Sequence, residues 1–280
     1  RGGVEVRTGV RISAIRHQAT GLSLETTAGT LTARHVLLAS GGARPGMELA
    51  VRLGHSIAPL APSLFTFRVP HGLPHDLAGI SVDAGIVALP AARLKEQGPV
   101  LITHQGLSGP AVIRLSAWAA RWLAQRKHVA EITVNWTGRP LSDVRAVLAE
   151  HRTRHAARLV QGDVAIPMPA RLWAFICGAS GIPLDRRWAH VSRNEQETLT
   201  ANLTAHTFHV RGMSPFNEEF VTCGGIPLKE VDLLTMESRR TPGLHFAGEM
   251  LDVDGLTGGF NFQWAWTSAW HAAQAITSAG

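Results

Sequence analysis

The sequence predicts an α/β protein in which one sheet-based domain is interrupted by a second domain. Three observations carry that expectation. Strand-like patterns occupy residues 4 to 40 and return after Gly212, whereas the middle reads mainly as helices. Two outer strands share one ending: His35–Ser40 runs into Gly41-Gly42, and Leu244–Ala247 runs into Gly248-Glu249, each with a helix soon after. Prolines then gather at Pro59, Pro62, Pro70 and Pro74, which marks an exit into a new domain. Residues 1–61 and 215–280 are therefore assigned to one domain, and residues 62–214 to the insert.

Each element has a local reason. Val4-Glu5-Val6, Val10–Ser13 and Gly21–Thr26 alternate apolar and polar residues, as half-buried strands do, with a turn at Ala28-Gly29. His35–Ser40 is nearly all apolar and fits a strand buried on both faces. Met47–Leu53 reads as a helix stopped by Gly54. Val100–Thr103 reads as a strand. Pro110 suits a first helical turn, so a helix is expected from Gly109 to about Lys127. Val129–Asn135 alternates as a strand, and 141–160 and 170–178 read as helices. Ser192 with Glu195 three residues on is a capping box opening a helix to Leu203. Phe220–Cys223 is a strand ending at Gly224-Gly225. Thr257 caps a last helix from about Gly258 towards Ser278.

Composition narrows the class. With 280 residues and 45% hydrophobic content, the chain can bury one large or two modest cores. The 17% charged content excludes a disordered or fibrous chain. No run approaches the ~20 apolar residues of a membrane span, so no membrane partner is expected. The net charge is +6, and a basic surface attracts phosphate. The arginines nevertheless stand singly, at Arg7, Arg11, Arg16, Arg34, Arg44 and Arg52, or beside acids, and no nucleic-acid motif accompanies them. The expected partner is a small-molecule substrate, and nucleic acid is not expected. Cys177 and Cys223 are far apart without CxxC spacing, so no metal site is expected. Two buried thiols in a reducing cytoplasm are preferred to a disulfide. The chain opens on Arg1-Gly2-Gly3 and enters strand pattern at once, which reads as the start of a fragment or of a trimmed chain.

The chemistry concentrates between Gly248 and Ala265. A strand delivers Glu249 at its C-terminal end, where open α/β sheets bind ligands. Asp252 and Asp254 follow within five residues. Thr257-Gly258-Gly259 then opens the long helix, whose first N–H groups lack intrahelical partners and carry partial positive charge. Glycines let a flat ligand approach the backbone. The arrangement suits an isoalloxazine ring, with the N–H groups stabilising negative charge at its pyrimidine edge on reduction. Small residues at Ala265, Ser268, Ala269, Ala272 and Ala273 permit close packing on a sheet. A plain helix cap explains any one of these residues, but explains the whole string less well.

The string Gly248–Ala265 resembles the C-terminal motif of the bacterial BaiN or RdsA-like NAD(P)/FAD-dependent oxidoreductases, G-E-x-L-D-x-x-G-x-T-G-G-Y-N-x-Q-x-A, with Phe260 in place of Tyr. Thr222–Ile226, Thr235–Ser238, Thr103–Ala111, and Ala39–Gly42 with Leu53-Gly54-His55 are similar to further family motifs in the same order. The resemblance covers about Val4 to Ile276. It implies a Rossmann-like FAD-binding domain, incomplete at its N-terminus, interrupted by an insert domain with a small β portion and helices. It implies that Gly248, Glu249 and Asp252 lie along the ribityl and phosphate side of FAD, and that Thr257 with Gly258, Gly259, Phe260 and Asn261 lies by the flavin. Ser40, Gly41 and Gly42 are implied to lie close to the cofactor. NAD(P)H is the implied co-substrate. Two departures stand out: no Gly-x-Gly-x-x-Gly occurs, and the 42–54 segment is shorter than the family's Gly- and Ser-rich loop.

Other candidates weigh less. An unperturbed imidazole titrates near neutrality, so His104 could serve as acid–base catalyst, with Ser108 and the following helix start as an anion site. A structural hydrogen bond for His104 and a capping role for Ser108 are the preferred readings. Cys223 and His55 read as buried structural residues, and Trp264, Trp266 and Trp270 as packing residues. Three functions remain in view: an FAD-dependent hydride-transferring oxidoreductase, a non-catalytic or truncated flavin-binding remnant, and, on charge alone, a nucleic-acid binder.

Overall fold

The computed structural model describes residues 3–213 and 221–278. The chain forms two compact units, Arg1–Pro62 with Val221–Gly280, and Ser63–Phe220. The expected boundary between 214 and 215, and Phe220 of the expected strand, lie outside the described residues.

The discontinuous unit carries two main sheets. Ile12–Gln18, Gly21–Thr26 and Gly29–Ala33 form an antiparallel three-stranded sheet. Val4 to Val6, expected as a strand, makes none and is exposed. Alternation alone does not supply a pairing partner. The second sheet has the order Val231–Asp232, Glu237–Ser238, Leu244–Phe246, Val36–Leu38. Its last two strands run parallel, pairing Leu244 with Val36 and Phe246 with Leu38. The Val36–Leu38 strand is not buried on both faces as expected: Val36 and Leu38 point inward, but Leu37 is 36% exposed. The parallel pairing matters for the site, because it sets two C-terminal strand ends side by side. Val221–Gly225 pairs with Ala58–Ser63.

The core of this unit gathers Ile15, Leu22, Leu38, Met47, Phe246, Met250 and Ala272 around one buried polar network. His55 sits edge-on to Phe246 at 4.9 Å. Its Nδ1 lies 2.9 Å from Glu230 Oε2, and its Nε2 2.8 Å from Ser238 Oγ. Glu230 also accepts from the Ser56 N–H and hydroxyl and from Arg240. Burial pushes the Glu230 carboxyl up, but these bonds outweigh it and hold the group at about 2. Burial likewise pushes the His55 imidazole down, against the pull of Glu230. Ser238 Oγ accepts from the N–H groups of Arg240 and Thr241. The Ser238–His55–Glu230 chain is thus a buried tie that locks the segment after the Arg44–Arg52 helix onto the sheet.

The continuous unit is built on a six-stranded sheet of order His206–Arg211, Val129–Asn135, Ser81–Leu89, Leu94–Thr103, Gly106–Ser108, Phe67–Arg68. All its neighbouring strands for which a register is resolved run antiparallel. Helices Pro110–Trp118, Leu141–Arg154, Ala170–Ala179 and Arg193–Ala205 complete a core centred on Phe65, Phe67, Leu115, Trp173 and Trp188. The Ser192 capping box forms as expected, with Ser192 Oγ accepting from Glu195 N and Glu195 accepting from Ser192 N. Ser81–Leu89 and His206–Arg211 are strands in stretches that local pattern left unassigned, and two expectations fail. The helix opened by Pro110 breaks at Ala119 before Ala120–Ala124. The 141–160 helix ends at Arg154.

Candidate functional site

The site begins where the two parallel strands stop. Val36–Leu38 hands over to Ala39-Ser40-Gly41-Gly42, and Leu244–Phe246 to Ala247-Gly248-Glu249. The Ala247 N–H donates to Leu38 O at 3.1 Å, carrying the pairing one residue further. Glu249 then clamps the edge. One carboxylate oxygen accepts from Gly42 N and the other from Thr222 N, both at 3.3 Å. Gly42 has no room for a side chain, because a Cβ there would run into the Thr222 hydroxyl. Ser40, on the exposed rim, donates from Oγ to Met250 Sδ at 3.0 Å.

The long helix Gly258–Ser278 completes the ledge. Gly248 adopts φ +65°, which glycine tolerates without strain, and faces Ala265 across a gap a methyl would just fill. Its N–H donates to Ser268 Oγ, and its carbonyl accepts from Trp264 Nε1 at 3.2 Å. Ser268 and Ala272 are buried, so the small-residue stripe seats the helix as the pattern implies. Trp266 and Trp270 do not pack as expected: they are 68% and 60% exposed, because the helix face they occupy points away from the sheet.

At the helix start, Thr257 Oγ1 accepts from Phe260 N and Thr257 O from Asn261 N. The Asn261 amide bonds both polar groups of Gly255 and the carbonyl of Thr257, so it braces the loop that presents the helix end. Thr257, Gly258, Gly259 and Phe260 are exposed. A Cβ on Gly258 would meet nothing within 4 Å, and one on Gly259 would meet only Thr257 Oγ1 at 3.8 Å. The backbone at Gly258 and Gly259 is thus open to an incoming ligand at the positive end of the helix, while Thr257 takes up the Phe260 and Asn261 N–H groups. Asp252 is held nearby, with its N–H on Ile226 O at 2.9 Å. The exposed glycine turn at this helix N-terminus fits a flat, electron-accepting ring of the flavin kind, which needs close backbone approach and N–H donors at the edge where negative charge develops on reduction.

Ser40, Gly41, Gly42, Gly248, Glu249 and Asp252, and the Thr257–Asn261 turn, therefore belong to one unit. His104 does not join them. It lies exposed in the hairpin turn between Leu94–Thr103 and Gly106–Ser108, in the other unit, with its ring 6.5 Å from that of His75. Ser108 is no helix cap: its hydroxyl bonds Thr66 Oγ1 at 2.9 Å, and Gly109 occupies the cap position without a side-chain bond. Cys177 and Cys223 are both buried, and burial pushes the Cys177 thiol up to about 12. Sequence reasoning missed the clamp by Glu249, since nothing local marks Gly42 and Thr222 as its partners. Among the described residues no helix is long and apolar enough to cross a membrane.

Residues 1–275 match the family model described as the HI0933-like protein Rossmann domain. The ribosomal RNA dihydrouridine synthase of Escherichia coli is 31% identical over 290 aligned positions, which cover all of this chain and 70% of that protein. The 3-dehydro-bile acid delta(4,6)-reductase of Clostridium scindens is 28% identical, over 97% of this chain and 69% of that protein. The ribosomal RNA dihydrouridine synthase of Haemophilus influenzae is 32% identical, over 84% of this chain and 57% of that protein.

Proposed function

The chain belongs to the HI0933-like Rossmann family, the family of the BaiN and RdsA-like oxidoreductases, and from that premise we propose that it is an FAD-dependent reductase of a carbon–carbon double bond conjugated to a carbonyl. The observation that carries the reading is the ledge. Two parallel strand ends, clamped by Glu249, pack against the helix whose start at Gly258-Gly259 is open. When bound, the flavin supplies hydride transfer between NAD(P)H and the organic acceptor. The chain's residues bind and orient it. Gly42 and Gly248 let the strand ends pack closely against Thr222 and the last helix, the exposed Gly258-Gly259 backbone offers N–H groups to negative charge, and Glu249 and Asn261 brace the two segments.

The double-bond reading draws on the relatives' names. A dihydrouridine is a uridine hydrogenated across the bond conjugated to its C4 carbonyl. A delta(4,6)-reductase of a 3-dehydro acid likewise acts on double bonds conjugated to a ketone. A small-molecule enone is the first substrate class proposed. A uracil base in RNA is the second, favoured by the two synthase relatives and by the +6 net charge.

The test is a visible spectrum of the purified chain after incubation with excess FAD and desalting, followed by anaerobic NADH or NADPH. Retained flavin bands that bleach with either nucleotide, and recover on adding an enone or a uracil-containing RNA, support the reading and choose the substrate class. A colourless protein, or bound flavin that neither nucleotide bleaches, overturns it.

A further inference from the structure

The Ser63–Phe220 unit holds a second cluster of ligating side chains, unrelated to the ledge. His151 lies in the last turn of the Leu141–Arg154 helix, and His155 caps its end one turn later. Their rings stack with centroids 4.0 Å apart and planes within 16°. His151 Nε2 lies 2.7 Å, and His155 Nδ1 3.1 Å, from the same oxygen, Asp163 Oδ2. Only His151 obtains a hydrogen bond from this arrangement. His155 Nδ1 is buried and has no hydrogen-bond partner. Two imidazole nitrogens thus crowd one carboxylate oxygen, and one of them is left unsatisfied away from water, which is unfavourable.

A single cation would satisfy all three groups. The ligand atoms lie within 4.8 Å of one another, and tetrahedral zinc with ~2.0–2.1 Å bonds sets its ligand atoms about 3.3 Å apart. Ligation requires the two imidazoles to rotate out of their stack so that both nitrogens converge on the ion. The carboxylate is already oriented from outside: Arg158 donates to Asp163 Oδ1 at 3.0 Å and the Trp188 indole to Oδ2 at 3.1 Å, the kind of support that ligating carboxylates receive. Trp188 is fully buried and lies edge-on to the His151 ring at 5.1 Å, which fixes that ring from the core side. Imidazole with carboxylate suits first-row transition ions, whereas calcium and magnesium require oxygen donors.

We propose that His151 Nε2, His155 Nδ1 and Asp163 Oδ2 form a site for one divalent transition-metal ion of the zinc type, with water as fourth ligand. The ion fastens the end of the Leu141–Arg154 helix to the turn at Asp163, whose N–H bonds Val160 O. The sequence expectation of no metal rested on cysteine spacing and did not weigh this pair.

The experiment uses the untagged full chain, stripped with chelator and without added flavin, titrated with Co2+ and Zn2+ by calorimetry and visible absorption. One equivalent should bind, Co2+ should show ligand-field bands that Zn2+ abolishes, and Zn2+ should raise the melting temperature. His155→Gln, at the accessible end of the helix, and Asp163→Asn should each weaken binding at least ~100-fold, while His17→Gln leaves it unchanged. Absence of saturable binding to the wild-type chain, or binding that persists in His155→Gln and Asp163→Asn, overturns the proposal.

Discussion

Glu249 shows how one side chain can tie two backbone segments together. Its carboxylate joins the loop after Val36–Leu38 to the strand at Thr222 by accepting two backbone N–H groups. Glu249→Ala leaves both donors without their acceptor. It is expected to cost ~1–3 kcal/mol, read as a lower urea midpoint, and to reduce flavin retention; Glu249→Gln keeps one acceptor oxygen and loses less. Glu230 makes a prediction about acid. Its folded value of about 2 lies below the unfolded ~4.3. The stability it contributes is therefore fully present above ~4.3 and is lost as pH falls towards 2. Glu230→Gln should be less stable than wild type near pH 7, and the difference should shrink near pH 3 in urea titrations at the two pH values. Gly42→Ala forces Thr222 aside and is expected to destabilise by ~1–3 kcal/mol in the same assay. Gly42 could be singled out from sequence because a glycine pair ends a buried strand. Its neighbour Thr222, 180 residues away, could not.

Among elements, legibility follows how local the cause is. The Ser192–Glu195 box is written within four residues, and it forms. Removing the cap hydroxyl by Ser192→Ala should cost ~1 kcal/mol, whereas Ser192→Gly should cost only a few tenths, measured by urea unfolding. The last helix is likewise local: a Thr-Gly-Gly start and a stripe of small residues that buries Ser268 and Ala272. The Ser81–Leu89 strand was not legible. Gly85 and the bulge between Val82 and Gly85 interrupt its alternation, and its stability comes from pairing with Leu94–Thr103 and Val129–Asn135. The helix after Leu141 stops at Arg154, although the chain beyond it carries no breaker until Gly162. His151 and His155 stand four residues apart, one helical turn, but Asp163 joins them only through the fold.

At the scale of the whole molecule, two separate cores predict separable unfolding. Calorimetry should show an enthalpy above the van't Hoff value of a single transition. Leu115→Ala, deep in the Ser63–Phe220 core, should cost ~2–5 kcal/mol and shift one transition while leaving the other in place. The α/β class, the interrupted order and the glycine-rich strand ends were all readable from the chain, because periodicity, glycine and proline act over a few residues. The parallel register of Leu244 on Val36, the clamp of Glu249 on Gly42 and Thr222, and the meeting of His151, His155 and Asp163 were decided only in the tertiary structure. Each joins side chains or strands whose contact depends on packing between distant segments, and no local pattern encodes a partner that the chain reaches only by folding.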